Sequence, residues 1–192
     1  QEGAVLGRMR WKDLDHDGKI TELDQTWIYD PVPDFTYGFN IYLEYKNFDF
    51  TAFFQGVQGV DIISDLKRET DIWAGLNIGF LNKGHRLLNA WCVDNPSSNI
   101  PAVTLSDNNN EKRVSTYWVE NGSYLKLRTI QLGYNLPQNI VSKLSMQRLR
   151  MYVSAQNLFT IKSSSFTGVD PENPNYGYPI PLNITFGLNV TF

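Results

Sequence analysis

The residues best suited to chemistry lie near the start of the chain, in Asp13-Leu-Asp-His-Asp-Gly-Lys-Ile-Thr-Glu-Leu-Asp24. Their spacing fits a twelve-residue calcium loop. Asp13, Asp15 and Asp17 hold positions one, three and five. Gly18 sits at six, where the chain must turn sharply, and Lys19 would offer its backbone carbonyl at seven. Thr21 stands at nine, where the ligand is direct or through water. Asp24 replaces the usual glutamate at twelve. Carboxylates in this order suit a hard cation that takes six to eight oxygens. The shorter Asp24 makes two-oxygen ligation less secure, so Ca2+ is expected first and Mg2+ second. Asx hydrogen bonds alone would also shape an acidic surface turn of this kind. A signalling EF-hand is not expected. No amphipathic helix enters from Arg8-Met-Arg-Trp-Lys12, and Pro31 and Pro33 cut off a long exiting helix. The ion would then staple a loop.

Other chemistry is sparse. Cys92 is the sole cysteine, so no intrachain disulfide forms. A thiol nucleophile needs a partnered histidine. His16 lies inside the acidic loop and His85 in a Gly/Lys/Arg-rich stretch, neither an obvious partner. No paired carboxylates stand out beyond the acidic loop, so no catalytic residue is assigned and the chain is not expected to be an enzyme. The net charge of -3 provides no basic footprint for nucleic acid and no polybasic run for an anionic membrane surface.

The elements that carry these residues read as strands. Charged residues make up 19%, below the roughly 25% of ordinary soluble domains. No stretch of about 18 apolar residues exists, so no transmembrane helix is expected. Barrel strands escape that test, because lipid-facing and lumen-facing residues alternate. In residues 35–45, Phe35, Tyr37, Phe39, Ile41, Leu43 and Tyr45 share one face; Thr36, Gly38, Asn40, Tyr42 and Glu44 share the other. Lys46-Asn47 turns the chain into 48–56, where Phe53 alone breaks the alternation. A third strand is predicted over 123–136, with a change of phase that a bulge near Arg128 would explain. A strand leaving the membrane zone there would explain it too. A turn with a short helix follows over 137–145. Strand four spans 148–162, and strand five, 182–192, alternates without error to Phe192. Residues 57–121 and 163–181 read as long connections, with weak helical character over 61–73.

Short turns at one end and long loops at the other are the habit of outer-membrane barrels. On that rule, strand 35–45 descends and the C-terminus lies at the periplasmic side. The expected fold is all-β: a C-terminal segment of about five strands of a transmembrane antiparallel β-barrel. Residues 1–34 would form an extracellular loop with the cation site, and 35–192 the barrel strands. The alternative is a secreted, calcium-stapled β-sandwich that binds carbohydrate. It would stack sugars on Trp91, Trp118 and the Asn175-Tyr-Gly-Tyr178 segment.

Several blocks together resemble one family. They are Trp11-Lys-Asp-Leu-Asp-His-Asp-Gly-Lys-Ile20, Pro33-Asp-Phe-Thr-Tyr-Gly-Phe39, Tyr45-Lys-Asn-Phe-Asp49 and Phe53-Phe-Gln-Gly56. Asn121-Gly-Ser-Tyr-Leu-Lys-Leu-Arg128, Leu132-Gly-Tyr-Asn-Leu-Pro137, Ser154-Ala-Gln-Asn-Leu-Phe159 and Phe186-Gly-Leu-Asn-Val-Thr-Phe192 continue the series. They look like the SusC/RagA family of TonB-dependent outer-membrane transporters. The resemblance implies a barrel of about 22 strands with an N-terminal plug. It implies a SusD-like surface lipoprotein partner, energy from the TonB complex, and import of oligosaccharides or peptides in Bacteroidetes-type glycan utilisation. A terminal aromatic such as Phe192 resembles the signal read by the barrel-assembly machinery. The chain shows no plug and too few strands to close a barrel, and it begins at Gln1. It is therefore expected to be a fragment or cleaved portion of a longer protein.

Overall fold

Strict period-two alternation places every second side chain on the same face of a sheet, and in this chain it builds one broad antiparallel sheet. The structure, a computed structural model, describes residues 4–71, 83–104, 106–175 and 177–192. In chain order its elements are β1 (Phe35–Tyr45), β2 (Phe48–Gln58), β3 (Asp61–Ile63), α1 (Asp65–Asp71), β4 (Val119–Asn121), β5 (Tyr124–Asn135), α2 (Gln138–Val141), β6 (Arg148–Lys162) and β7 (Asn183–Thr191). Two compact units result. One draws mainly on Gln1–Asp30 and Ile62–Glu120; the other is Pro31–Asp61, Asn121–Asn173 and Gly177–Phe192.

The second unit is the sheet, ordered β1-β2-β5-β6-β7. Every neighbouring pair is antiparallel. The register lines up Leu43, Phe50, Leu132, Val153 and Phe186 across all five strands. The next row on that face is Ile41, Ala52, Ile130, Ala155 and Ile184. Between them, on the opposite face, runs Tyr42, Thr51, Gln131, Ser154 and Thr185. One face is thus apolar from edge to edge and the other polar. The apolar face is bare: Leu43 is 60% exposed, Phe186 81% and Leu188 66%. Among the described residues, β1 and β7 each pair on one side only, so the sheet is open.

Local chemistry explains the irregularities. Lys46 adopts a left-handed conformation (φ 55) in the two-residue turn between β1 and β2. Phe53, the exception to the alternation, lays its ring over Gly38, where a Cβ would come within 3.2 Å. The bulge expected near Arg128 is present. Phe53 pairs with Thr129 but Phe54 pairs with Leu127, so Arg128 is the extra residue opposite β2. The register of β5 with β6 shifts at the same place.

The connection between β2 and β5 differs from its sequence reading. It is not one loop, and its opening is not helical: Asp61–Ile63 pairs as β3 with β4. The helix begins only after Ser64, whose hydroxyl accepts the Lys67 N–H at 3.1 Å. Strand pairing and a serine cap outweigh the weak apolar spacing there. The Ile72 and Trp73 part of the expected helix lies outside the described residues. In this first unit Trp118 is fully buried against Met9, Ile63 and Tyr117.

Candidate functional site

The acidic loop folds as a series of Asx turns. The Asp13 carboxylate accepts the N–H groups of His16 (2.6 Å) and Gly18 (2.9 Å). Asp15 accepts from Asp17 N at 3.1 Å, and Asp17 from Lys19 N at 2.7 Å. His16 (φ 63) and Gly18 (φ 83) take left-handed conformations that bend the chain around these groups. As a result, carboxylate oxygens of Asp13, Asp15 and Asp17 lie within 4.8 Å of one another. The N–H that Asp17 donates to Asp15 lowers the pKa of the Asp15 carboxyl. Desolvation and the charges of Asp17, Asp24 and Asp13 outweigh it, and the net effect is upward.

The remaining predicted ligands are placed differently. Asp24 accepts the N–H of Leu14 at 2.6 Å and of Thr21 at 2.7 Å. These hydrogen bonds, Thr21 first, hold its carboxyl below the usual range. The Thr21 hydroxyl accepts from Leu23 N at 3.2 Å, completing a capping box on the turn Glu22–Asp24. Lys19 is exposed, with its N–H bonded to Asp17. The structure therefore brings three carboxylates together and uses Thr21 and Asp24 to clasp the loop. An all-oxygen cluster of this kind fits a hard divalent cation.

The acidic loop forms one wall of a cavity within the first unit, about 1000 Å³ in volume. Leu14, Ile20, Thr21 and Asp24 line it from the loop; Trp11, Trp27, Tyr29 and Trp91 contribute rings. Beside it, Arg8 pairs with Glu111, which is 1% exposed and also accepts the Met9 N–H at 2.7 Å. Trp118 does not serve as a sugar platform. It has no exposed surface, and its Nε1–H donates to Arg113 O at 3.0 Å. Tyr178 is exposed, whereas Tyr176 lies outside the described residues.

A second polar cluster, unforeseen in the sequence, lies on the polar face of the sheet. Lys126, its side chain 1% exposed, reaches Asp170 at 2.7 Å and Glu172 at 2.5 Å. Arg128 donates to Gln55 at 2.8 Å and pairs with Glu172; Tyr124 donates to Glu172 at 2.6 Å. Burial would push the Glu172 carboxyl up, but Arg128, Lys126 and Tyr124 together hold it down at about 2. A third pair, Asp49 with Arg150, sits over Gly133, where a side chain would collide with both partners. Alternation places Lys126 and Arg128 on one face, but no spacing links them to residues more than forty positions away. Only the fold of the 163–173 connection makes that pairing.

No family model matches the chain. Its curated relatives are consistent with one another. TonB-dependent receptor P3 of Formosa agariphila is 37% identical over 196 residues, covering 94% of this chain and 18% of that protein. Receptor P26 of the same organism is 32% identical, covering 100% of this chain and 20% of its own length. TonB-dependent receptor SusC of Bacteroides thetaiotaomicron is 27% identical over 94% of this chain and 17% of that protein. The structure of the RagAB peptide transporter superposes with a TM-score of 0.74 at 28% identity, over 91% of this chain and 19% of that one. In the 'closed-closed' state of the RagAB peptide importer the TM-score is 0.75 at 27% identity, over 94% and 20%. The chain thus spans about a fifth of the length of the proteins it matches.

Sheet and similarity together place the chain with one class, the TonB-dependent receptors, which are outer-membrane proteins. Within it the chain belongs to the SusC/RagA family and matches the C-terminal portion of its members. The sandwich alternative is not favoured. Among the described residues, the only other sheet is the short β3–β4 pair, so no second layer completes a sandwich.

Proposed function

We propose that this chain is the C-terminal barrel segment of a transporter that imports oligosaccharides, or peptides, across the outer membrane. The observation that carries this is the two-faced sheet. A contiguous apolar face this large needs lipid or a partner to cover it. Exposed rings and aliphatic chains from all five strands suit lipid, and the polar face suits a lumen. Phe35 and Tyr37 at one end of β1, and Tyr45 with its β2 partner Phe48 at the other, suit the two aromatic girdles.

Transport itself is assigned to the whole protein. There the segment would pair at its open edges with further strands, with a TonB-engaged plug inside and a SusD-like lipoprotein as lid. The C-terminus would lie at the periplasmic side, as the alternation of short turns and long loops suggests. Residues 1–34 would be extracellular, with Ca2+ or Mg2+ held by Asp13, Asp15 and Asp17. The ion would brace the cavity wall that Thr21 and Asp24 help build. No enzymatic step is assigned. Fractionation of the full-length protein tests the proposal. It should partition with detergent-extracted outer membrane, and substrate uptake should cease without TonB. Recovery in the soluble fraction without detergent would refute it.

A further inference from the structure

The cavity in the first unit is lined by three cationic side chains, Arg10, Lys12 and Arg113, that make no ion pair among the described residues. All three are exposed, and none is among the residues bound to a carboxylate. Arg113 is set in place by its ring neighbour: its guanidinium lies 4.1 Å from the centroid of Trp11. Trp11 is itself fixed by donating from Nε1 to Asn109 O at 3.1 Å. Among the described residues, Asp24 is the one carboxylate that lines the cavity. Its oxygens are turned to the Leu14 and Thr21 amides. Arg8 is neutralised by Glu111. Trp27 and Trp91 add ring surface, with Trp27 81% exposed.

From this combination we propose that the cavity binds acidic oligosaccharide. Flat indole faces pack against the C–H faces of sugar rings, while the fork of an arginine grips carboxylate or sulfate with two hydrogen bonds. A volume of about 1000 Å³ lies at the top of the usual range for small-ligand sites and suits several sugar units rather than one. An acidic peptide is disfavoured because, among the described residues, no strand edge lines the cavity to pair with its backbone. This inference rests on the transporter reading and narrows its substrate class.

The test uses the full-length protein in detergent and follows tryptophan fluorescence and calorimetric heat. The probes are trigalacturonate, a hyaluronan tetrasaccharide, a carrageenan tetrasaccharide, maltotriose and a glutamate-rich pentapeptide. At least one acidic saccharide should bind, maltotriose at least tenfold more weakly, and the peptide not at all. Arg113→Gln should weaken binding at least tenfold, and Lys12→Gln should reduce the salt dependence. Binding of no acidic saccharide, equal binding of maltotriose, preference for the peptide, or no effect of Arg113→Gln overturns the proposal. Fractionation separates the two claims. An outer-membrane protein that ignores acidic saccharides sinks only the site. A soluble protein that binds them sinks only the transporter.

Discussion

Lys126 provides the sharpest test of the polar face. Its ammonium is buried between Asp170 and Glu172, with only 1% of its side chain exposed. Lys126→Met keeps the aliphatic stem but leaves both carboxylates without their shared cation. Breaking a buried ion pair from one side costs about 3–5 kcal/mol. Arg128 still pairs with Glu172, and Asp170 and Glu172 are partly solvated at 13% and 21% side-chain exposure. The expected loss is therefore nearer ~2 kcal/mol. It falls on the docking of the 163–173 connection rather than on the strands. That segment retains other anchors, including buried Phe166 and the Lys162 contact with the Gly168 carbonyl. Hydrogen exchange on the full-length protein in detergent reads the effect. The Phe166 and Asn173 amides, bonded to Ser163 O and Asp170 O, should lose roughly 30-fold protection, at about 1.4 kcal/mol per tenfold. Core amides of β2 and β5 should hardly change. Unchanged protection at Phe166 and Asn173 would show that the cluster does not hold the connection.

Three further outcomes are expected. The Glu172 carboxyl falls from 4.5 to about 2, so its contribution is present in full above pH 4.5 and is lost as pH drops through about 2. Its ceiling is about 3 kcal/mol, and partial exposure reduces it to ~1 kcal/mol; Glu172→Gln should remove this acid dependence of Asn173 exchange, and persistence of the full dependence counts against the assignment. Tyr152 lays its ring over Gly187 on the neighbouring strand. Gly187→Ala should then cost about 1–3 kcal/mol in thermal unfolding of the whole barrel; a second change, Tyr152→Ala, should erase that increment, and strict additivity would contradict the contact. For the acidic loop, calcium should slow exchange of the Gly18 and Lys19 amides, a chelator should reverse this, and Asp13→Ala should abolish it. Identical exchange with and without calcium would exclude the cation.

Strand identity was legible in the sequence because a sheet face repeats every two residues. Residues 35–45 and 182–192 alternate so regularly that strand positions and faces follow directly. The bulge at Arg128 was legible too, as a change of phase between Leu127 and Ile130. The acidic loop was visible because its groups are local, with Asp13, Asp15 and Asp17 only two residues apart. Tertiary structure decided what local spacing cannot express. It made 61–63 a strand because β4 supplies hydrogen bonds from far along the chain. It buried Trp118, which composition alone had offered as a sugar platform. It also joined Lys126 to Glu172 and gathered Arg10, Lys12 and Arg113 around one cavity. Charge attraction depends on distance in space, and distant sequence positions acquire that distance only when the connections fold.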